Sequence, residues 1–272
     1  MFFKFSLKWN WYNIADYLRK VVISVPNAKE VLKKPLLFPE KRVSSKEENL
    51  IEKVSFLPYE QESVRSFIKS MIIALEARDT YTKNHSARVA LFSEEIAKNL
   101  DLSPETTEII RISGLLHDIG KIGISDKILL KQGRLTESEL LAVEEHPSIS
   151  EDICRPIHFF NPILPIIRGH HERMDGKGYP DHKVGDEIHI GARIVSLADS
   201  FDALISNRSY RNALSLDRVL SILKAGAGKQ WDVRVINAFI DNLDIERLSQ
   251  ILQQTSKSDS AATLASGTIF EV

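Results

Sequence analysis

The stretch His117-Asp118-Ile119-Gly120-Lys121 stands where a strongly apolar helix ends and a glycine-containing turn begins. Ser103 reads as the N-cap of that helix and Pro104 as its first residue, and its apolar positions are Ile109, Ile112, Leu115 and Leu116. Neighbouring side chains on a helix point about 100° apart, so His117 and Asp118 can share an ion only at a helix end or in a site the helix borders. An imidazole beside a carboxylate suits a borderline or hard divalent cation. Gly120 lets the backbone turn, and Lys121 can set an ammonium beside an anion held by such a cation. His-Asp is a common dipeptide, so its meaning depends on whether the rest of the chain brings matching ligands.

Along the chain the pattern is helical, and strand-type alternation is nearly absent, which predicts an all-α fold. A long helix is expected from Ser66 to Leu100, with Val89, Phe92 and Ile96 on its apolar face and His85 on the same stripe one turn earlier. Thr136 and Glu139 form a capping box for a helix ending at His146-Pro147. A further helix runs from near Pro162 to His170-His171-Glu172, followed by the loop Asp175-Gly176-Lys177-Gly178-Tyr179-Pro180. Asp199 falls among apolar residues of a helix spanning Ala192 to Ser206, and Ser215 and Asp232 read as caps of later helices. Residues 1–62 read as an N-terminal extension and linker, too short for a full doubly wound sensor domain. Residues 63–250 read as the functional domain, and 251–272 as a disordered tail rich in Ser, Thr and Ala.

Five of the eight histidines, His85, His117, His146, His170 and His171, fall near helix ends or on apolar helix faces, as do Asp118 and Asp199. Each has a plainer explanation alone: His85 as a hydrogen-bonded core histidine, His146 as a helix-end residue, Asp199 as a local cap. Burying all of them without a shared partner would cost several kcal/mol in desolvation, and a bound metal removes that cost for the whole set. Seven ligands are too many for one catalytic ion, which keeps about three or four protein ligands and an open position. They suit two ions bridged by Asp118, whose oxygens can each take one metal. Two cations about 3.5–4 Å apart hold a hydroxide between them and clamp a phosphoryl oxygen, which is machinery for phosphoester hydrolysis. Such a His/carboxylate shell does not choose strongly among iron, manganese, nickel and zinc. His158, His182 and His189 read as surface residues.

His117-Asp118 with Lys121, His146-Pro147, His170-His171-Glu172, Asp175-Gly176-Lys177-Gly178-Tyr179-Pro180 and Ala198-Asp199 together resemble the HD-GYP family, over about residues 65 to 245. That family is the branch of the HD-domain metal phosphohydrolases that degrades the bacterial messenger cyclic di-GMP. The resemblance implies an all-helical HD-type bundle in which His117, Asp118, His146, His170, His171 and Asp199 hold two divalent ions, iron or manganese, with His85 beside them. It further implies that Lys121 contacts the scissile phosphate, that Tyr179 touches substrate, and that Arg208 and Arg211 grip a guanine or phosphate. Some members carry a glutamate four residues before the histidine equivalent to His85, where it helps to hold a third metal. Tyr81 stands there in this chain, so two metals are expected, with linear pGpG as the favoured product and GMP as the alternative. A homodimer is implied by family habit alone. The rivals are the same centre cutting another cyclic dinucleotide such as cyclic GMP-AMP, or a nucleotide monoester, and a non-catalytic module that binds cyclic di-GMP. A structural helical domain whose polar residues only cap helices is the remaining alternative.

Charge and composition narrow the partners. A formal net charge of −1 gives no face-wide pull on a nucleic-acid polymer, while a small anion held by local charges stays allowed. The single cysteine, Cys154, excludes an intrachain disulfide framework and fits a reducing compartment, so the cytoplasm is the expected location. Residues 1–25 crowd Phe2, Phe3, Phe5, Trp9, Trp11, Tyr12 and Tyr17 among Lys4, Lys8, Arg19 and Lys20. This reads as a packing segment or dimer contact, or as an amphipathic segment resting on a membrane surface or a partner. On the membrane reading, deleting residues 1–25 releases the protein from sedimented liposomes and leaves turnover intact. Equal liposome binding with and without them overturns it.

Overall fold

The computed structural model describes residues 58–78, 84–207 and 212–257. Expectations for the aromatic start, Tyr81, Arg208, Arg211 and the chain beyond Lys257 lie outside the described residues. Helix α1 (Pro58–Arg78) is followed by α2 (His85–Asn99) and α3 (Pro104–Leu116). A 3-10 turn, Ile119–Gly123, leads into α4 (Asp126–Leu129), α5 (Glu137–Glu144) and α6 (His146–Cys154). A second 3-10 turn, His158–Ile163, runs into α7 (Leu164–Gly169). After a long loop come α8 (Ile190–Ile205), α9 (Leu216–Gly226), α10 (Val233–Asp241) and α11 (Ile245–Lys257). Pairing of extended backbone among the described residues is limited to two isolated bridges, so their fold is all-α. No helix among the described residues is long and apolar enough to cross a membrane.

Helices α2 and α3 are packed side by side and shared between two apolar cores. One core gathers Val89, Phe92 and Ile96 of α2, Ile110 of α3, and Ile194, Val195, Leu197 and Phe201 of α8 against Val219, Val235, Phe239 and Ile251 from the last three helices. The other gathers Ile68, Ile72 and Leu75 of α1 with Ala87, Ala90, Ile112, Leu115 and Leu116, and is closed by Phe160, Ile163 and Ile167. Gly114 makes the pairing possible, because a Cβ there would lie 2.8 Å from the Ala90 Cα, inside the contact limit of two carbon atoms. Buried on both flanks, α2 and α3 are held firmly, and their ends can present polar groups at fixed positions.

Several local signals act as read. Ser103 accepts from the Thr106 amide, and Pro104 opens α3. Thr136 and Glu139 form the capping box of α5. Asp232 caps α10 by accepting from the Arg234 amide, and Ser215 occupies the N-cap position of α9. Boundaries differ where backbone geometry overrides periodicity. The single helix expected from Ser66 to Leu100 is two helices, because Asn84 adopts φ 62°, a left-handed conformation that cannot continue an α-helix. His146 begins α6 instead of ending α5, since Pro147 is tolerated in a first helical turn. The helix expected from Pro162 is confined to Leu164–Gly169, with Pro162 inside the preceding 3-10 turn. The tail expected from residue 251 is helical through Lys257, because Leu248 and Ile251 are buried in the first core.

Cys154, fully buried at the end of α6, belongs to the second core. Burial pushes its thiol up to about 12, so at pH 8 almost no thiolate forms. The folded protein should therefore resist a thiol-specific reagent at pH 8 and titrate one thiol after denaturation. Rapid labelling of the native state would contradict this packing.

Candidate metal centre

Helix ends converge on one point. His85 is the first residue of α2, His117 follows the last turn of α3, and Asp118 precedes the 3-10 turn. His146 is the first residue of α6, and His170 and His171 follow α7. The passage from α-helix to 3-10 turn lets His117 and Asp118, neighbours in sequence, face the same place. The Asp118 Oδ2 lies 3.3 Å from His117 Nε2 and 3.8 Å from His85 Nε2, while its Oδ1 lies 3.3 Å from His146 Nε2. Asp118, His146, His170 and His171 bring one ligand atom each within 4.8 Å of one another, and His85, His117 and Asp118 form a second such set. Asp118 belongs to both. Asp199 joins the second set through His85, with Oδ1 3.3 Å from Nε2.

The imidazoles are oriented from behind. Nδ1 of His117, His146 and His170 lies 2.8, 2.7 and 2.7 Å from the carbonyls of Gly114, Val143 and Ile167. A carbonyl can only accept, so Nδ1 carries the proton in each, and Nε2 is the nitrogen that faces the cluster. Nε2 of His146 and His170 are 3.3 Å apart, close enough for one cation to take both. His85 is held differently, by Asp202 Oδ2 at 2.7 Å from Nδ1. Arg88 Nη2 in turn donates to that oxygen at 3.0 Å, and its Nε donates to the other. Such carboxylate–histidine pairs orient metal ligands and raise their basicity.

Charge follows from these contacts. Burial keeps His170 far below the ordinary imidazole range, reinforced by the neighbouring histidines, and burial with His146 beside it brings His171 down to about 3. Both are neutral at physiological pH, the form that coordinates metals. Burial opposes ionisation of Asp118, but the Lys121 ammonium, 2.5 Å from Oδ2, and His117 hold it well below the carboxylate range. Asp199 is likewise held low, as its hydrogen bond to His85 outweighs burial. For His85, burial is overcome by Asp199 and Asp202, which raise it to about 9. Neutral His170 and His171, the inward Nε2 atoms of His117 and His146, and the ionised carboxylates of Asp118 and Asp199, all buried or nearly so, form a donor set suited to divalent cations.

The loop after His171 walls one side. The Tyr179 ring lies 4.8 Å from that of His171 and 6.4 Å from that of His146, and burial with Asp118 and Asp199 nearby keeps its phenol neutral. Gly178 is required because a Cβ would collide with the backbone of His171, Glu172 and Arg173. Glu172 faces away from the cluster: its carboxylate accepts from the amides of Asp181 (2.7 Å) and Lys183 (3.1 Å) and so pins the loop. Below the 3-10 turn, the Ser150 hydroxyl donates to the His117 carbonyl (2.9 Å) and accepts from the Gly120 amide (2.8 Å). A Cβ on Gly120 would overlap the His146 carbonyl, so glycine lets the turn sit directly on α6.

Thus His85, His117, Asp118, His146, His170, His171 and Asp199 come together, with Lys121 and Tyr179 at the rim. His158, His182 and His189 are exposed, as expected. Asp202, Arg88 and Ser150 escaped the sequence reading. Asp202 had a signal, a second carboxylate one helical turn after Asp199 and beside Phe201; Arg88 and Ser150 look like ordinary helix residues.

An HD-domain family model matches residues 69–235, and the chain belongs to the HD-domain family, whose members use divalent metals. The chain is 39% identical over 182 residues to the cyclic di-GMP phosphodiesterase response regulator RpfG of Xanthomonas campestris, covering 66% of this chain and 48% of that protein. It is 37% identical over 182 residues to a 3'3'-cGAMP-specific phosphodiesterase of Vibrio cholerae, covering 67% of this chain and 40% of that protein. The chain therefore spans half or less of the length of these relatives. A solved cyclic GMP-AMP specific phosphodiesterase of V. cholerae shares the fold, with a TM-score of 0.53, 17% identity, and coverage of 74% of this chain and 53% of that one.

Asp202→Asn keeps the shape but withdraws the charge behind His85. Loss of an outer partner of this kind costs about 10- to 100-fold in metal affinity. Metal titration should show that weakening at one site of a folded variant; unchanged affinity would mean that Asp202 only packs.

Proposed function

We propose that this chain is a metal-dependent phosphodiesterase that opens cyclic di-GMP to linear pGpG, with GMP as a further product if the second bond is also cut. The observation that carries the reading is the single buried carboxylate, Asp118, shared by two histidine sets with the Lys121 ammonium 2.5 Å away. On this reading Asp118, His146, His170 and His171 hold one divalent ion, and Asp118, His117, His85 and Asp199 hold the second, iron or manganese in each. When bound, the pair supplies Lewis-acid charge and acidifies a water to make the nucleophile. Lys121 then serves the phosphate: its ammonium, pre-set against Asp118, lies where it can pair with charge growing on a phosphoryl oxygen, the place where electrostatic preorganisation matters most. The neutral Tyr179 phenol can donate a hydrogen bond from the loop side. Arg208 and Arg211, outside the described residues, are assigned to guanine O6/N7 or phosphate, which suit a guanidinium fork.

Residues 63–250 constitute the proposed catalytic domain, with the cytoplasm as its location, a reading supported by the single free cysteine. Cyclic GMP-AMP is the second substrate reading, favoured by one observation: identity to the relatives named for the two dinucleotides is nearly equal, 39% and 37%.

The test is turnover of both dinucleotides by anaerobically purified protein loaded with iron or manganese, beside Asp118→Ala, with metal content measured for each. The parent should hydrolyse cyclic di-GMP and accumulate pGpG. The folded variant should be more than about a hundredfold slower, a loss already reached when only an outer partner of a ligand is removed. Bound metal with cyclic GMP-AMP cut in preference would shift the substrate to the second reading. Dinucleotide binding without turnover would make the chain a binding module, and a folded parent that takes up no metal would overturn the centre.

A further inference from the structure

Arg78, in the last turn of α1, has no part in the constellation above. Its guanidinium nevertheless spreads over the outer side of the 3-10 turn that carries Lys121. Nη1 donates to the Lys121 carbonyl at 3.2 Å and to the Ile122 carbonyl, Nη2 donates to the Ile124 carbonyl, and Nε donates to Asp126 Oδ1 at 2.7 Å. A short 3-10 turn leaves its last carbonyls without intrahelical donors, and one planar fork with five N–H groups can serve several at once. The turn is thus held from both sides. Ser150 of α6 binds the Gly120 amide and the His117 carbonyl on the inside, and Arg78 takes the carbonyls of residues 121, 122 and 124 on the outside. Within the turn, the Lys121 amide donates to the Asp118 carbonyl at 2.9 Å, and the Ile124 amide donates to the Lys121 carbonyl at 3.1 Å. The base of the clamp is rigid, because Ile68, Ile72 and Leu75 anchor α1 in the core that also contains Leu116 and Ile119.

We propose that Arg78 is a positioning residue for the proposed reaction: it fixes the backbone of residues 121–124, and thereby the point from which the Lys121 side chain reaches Asp118 and the substrate phosphate. The proposal rests on the phosphodiesterase reading for its catalytic half and on the turn geometry for its structural half. Arg78 touches no ligand of the metal sets through its side chain, so its loss separates positioning of Lys121 from metal binding. A misplacement on the order of 1 Å can cost about a hundredfold in rate.

The experiment compares the full chain with Arg78→Ala, Arg78→Lys and Asp126→Asn. It measures kcat and KM for cyclic di-GMP and cyclic GMP-AMP, metal content, and hydrogen–deuterium exchange of peptides covering residues 119–126. Arg78→Ala should lower kcat by about tenfold to a hundredfold, keep KM within about threefold and metal content unchanged, and speed exchange in that segment. Arg78→Lys, a point charge without the fork, should fall between, and Asp126→Asn, which keeps the carbonyl bonds, should match the parent. Parental kcat in Arg78→Ala, a rate loss with unchanged exchange, or a rate loss matched by metal loss would each overturn the proposal. If Arg78→Ala does not fold, parental kcat in Arg78→Lys overturns it, and a loss in Arg78→Lys that Asp126→Asn does not share supports it. If the parent cleaves neither dinucleotide, the phosphodiesterase reading falls by itself. Exchange at 119–126 then still decides the clamp, and unaltered exchange in Arg78→Ala overturns it.

Discussion

The Asp118 carboxylate is the charge on which the rest of the structure depends. Only 2% of the residue is exposed, and an ionised carboxylate so placed costs several kcal/mol unless it is paired. The Lys121 ammonium supplies that pairing on one side, and the Nε2 atoms of His117, His85 and His146 surround the carboxylate on the others. The demand runs outward. His117, His146, His170 and His85 present Nε2 because Nδ1 is held by a carbonyl or by Asp202, and those acceptors sit at fixed places on helices. The architecture meets this demand with ends of four helices, α2, α3, α6 and α7, meeting at one locus.

Rigidity comes from how apolar surface is divided. Had α2 and α3 packed on one side only, their polar ends could drift with the solvent-facing side. Because Val89, Phe92 and Ile96 face one core and Ala87 and Ala90 the other, the pair cannot rotate without opening both. Gly114 and Gly120 act in the same sense at closer range: each lets one backbone rest directly on another, on α2 and α6 respectively. Glu172 performs the matching task for the Tyr179 loop, using a buried carboxylate to satisfy two loop amides and so converting a motif position into a structural fastener.

Helix signals confined to neighbouring residues were readable in advance: the Ser103-Pro104 start, the Thr136/Glu139 box and the Asp232 cap all depend on contacts within a few residues. Boundaries that depend on distant contacts were not. Asn84 breaks the expected long helix where its amide meets Glu76 and its side chain meets the Thr255 carbonyl of α11, a partner 171 residues away. Likewise the burial of Leu248 and Ile251 against helices far earlier in the chain keeps α11 helical through a stretch whose composition reads as tail.

By itself the sequence determined the chemistry available. It fixed seven side chains of metal-binding type near helix ends or apolar faces, one lysine three residues after the central aspartate, and a loop whose glycines admit close backbone approach. Those properties follow from residue type and helical period, which are local. Tertiary structure alone decided that Asp118 is common to both sets, that Asp202 stands behind His85, and that Ser150 and Arg78 hold the 3-10 turn from either side. These are properties of distance between segments far apart in the chain. They arise only when the two cores close and bring the helix ends within a few ångströms of one another.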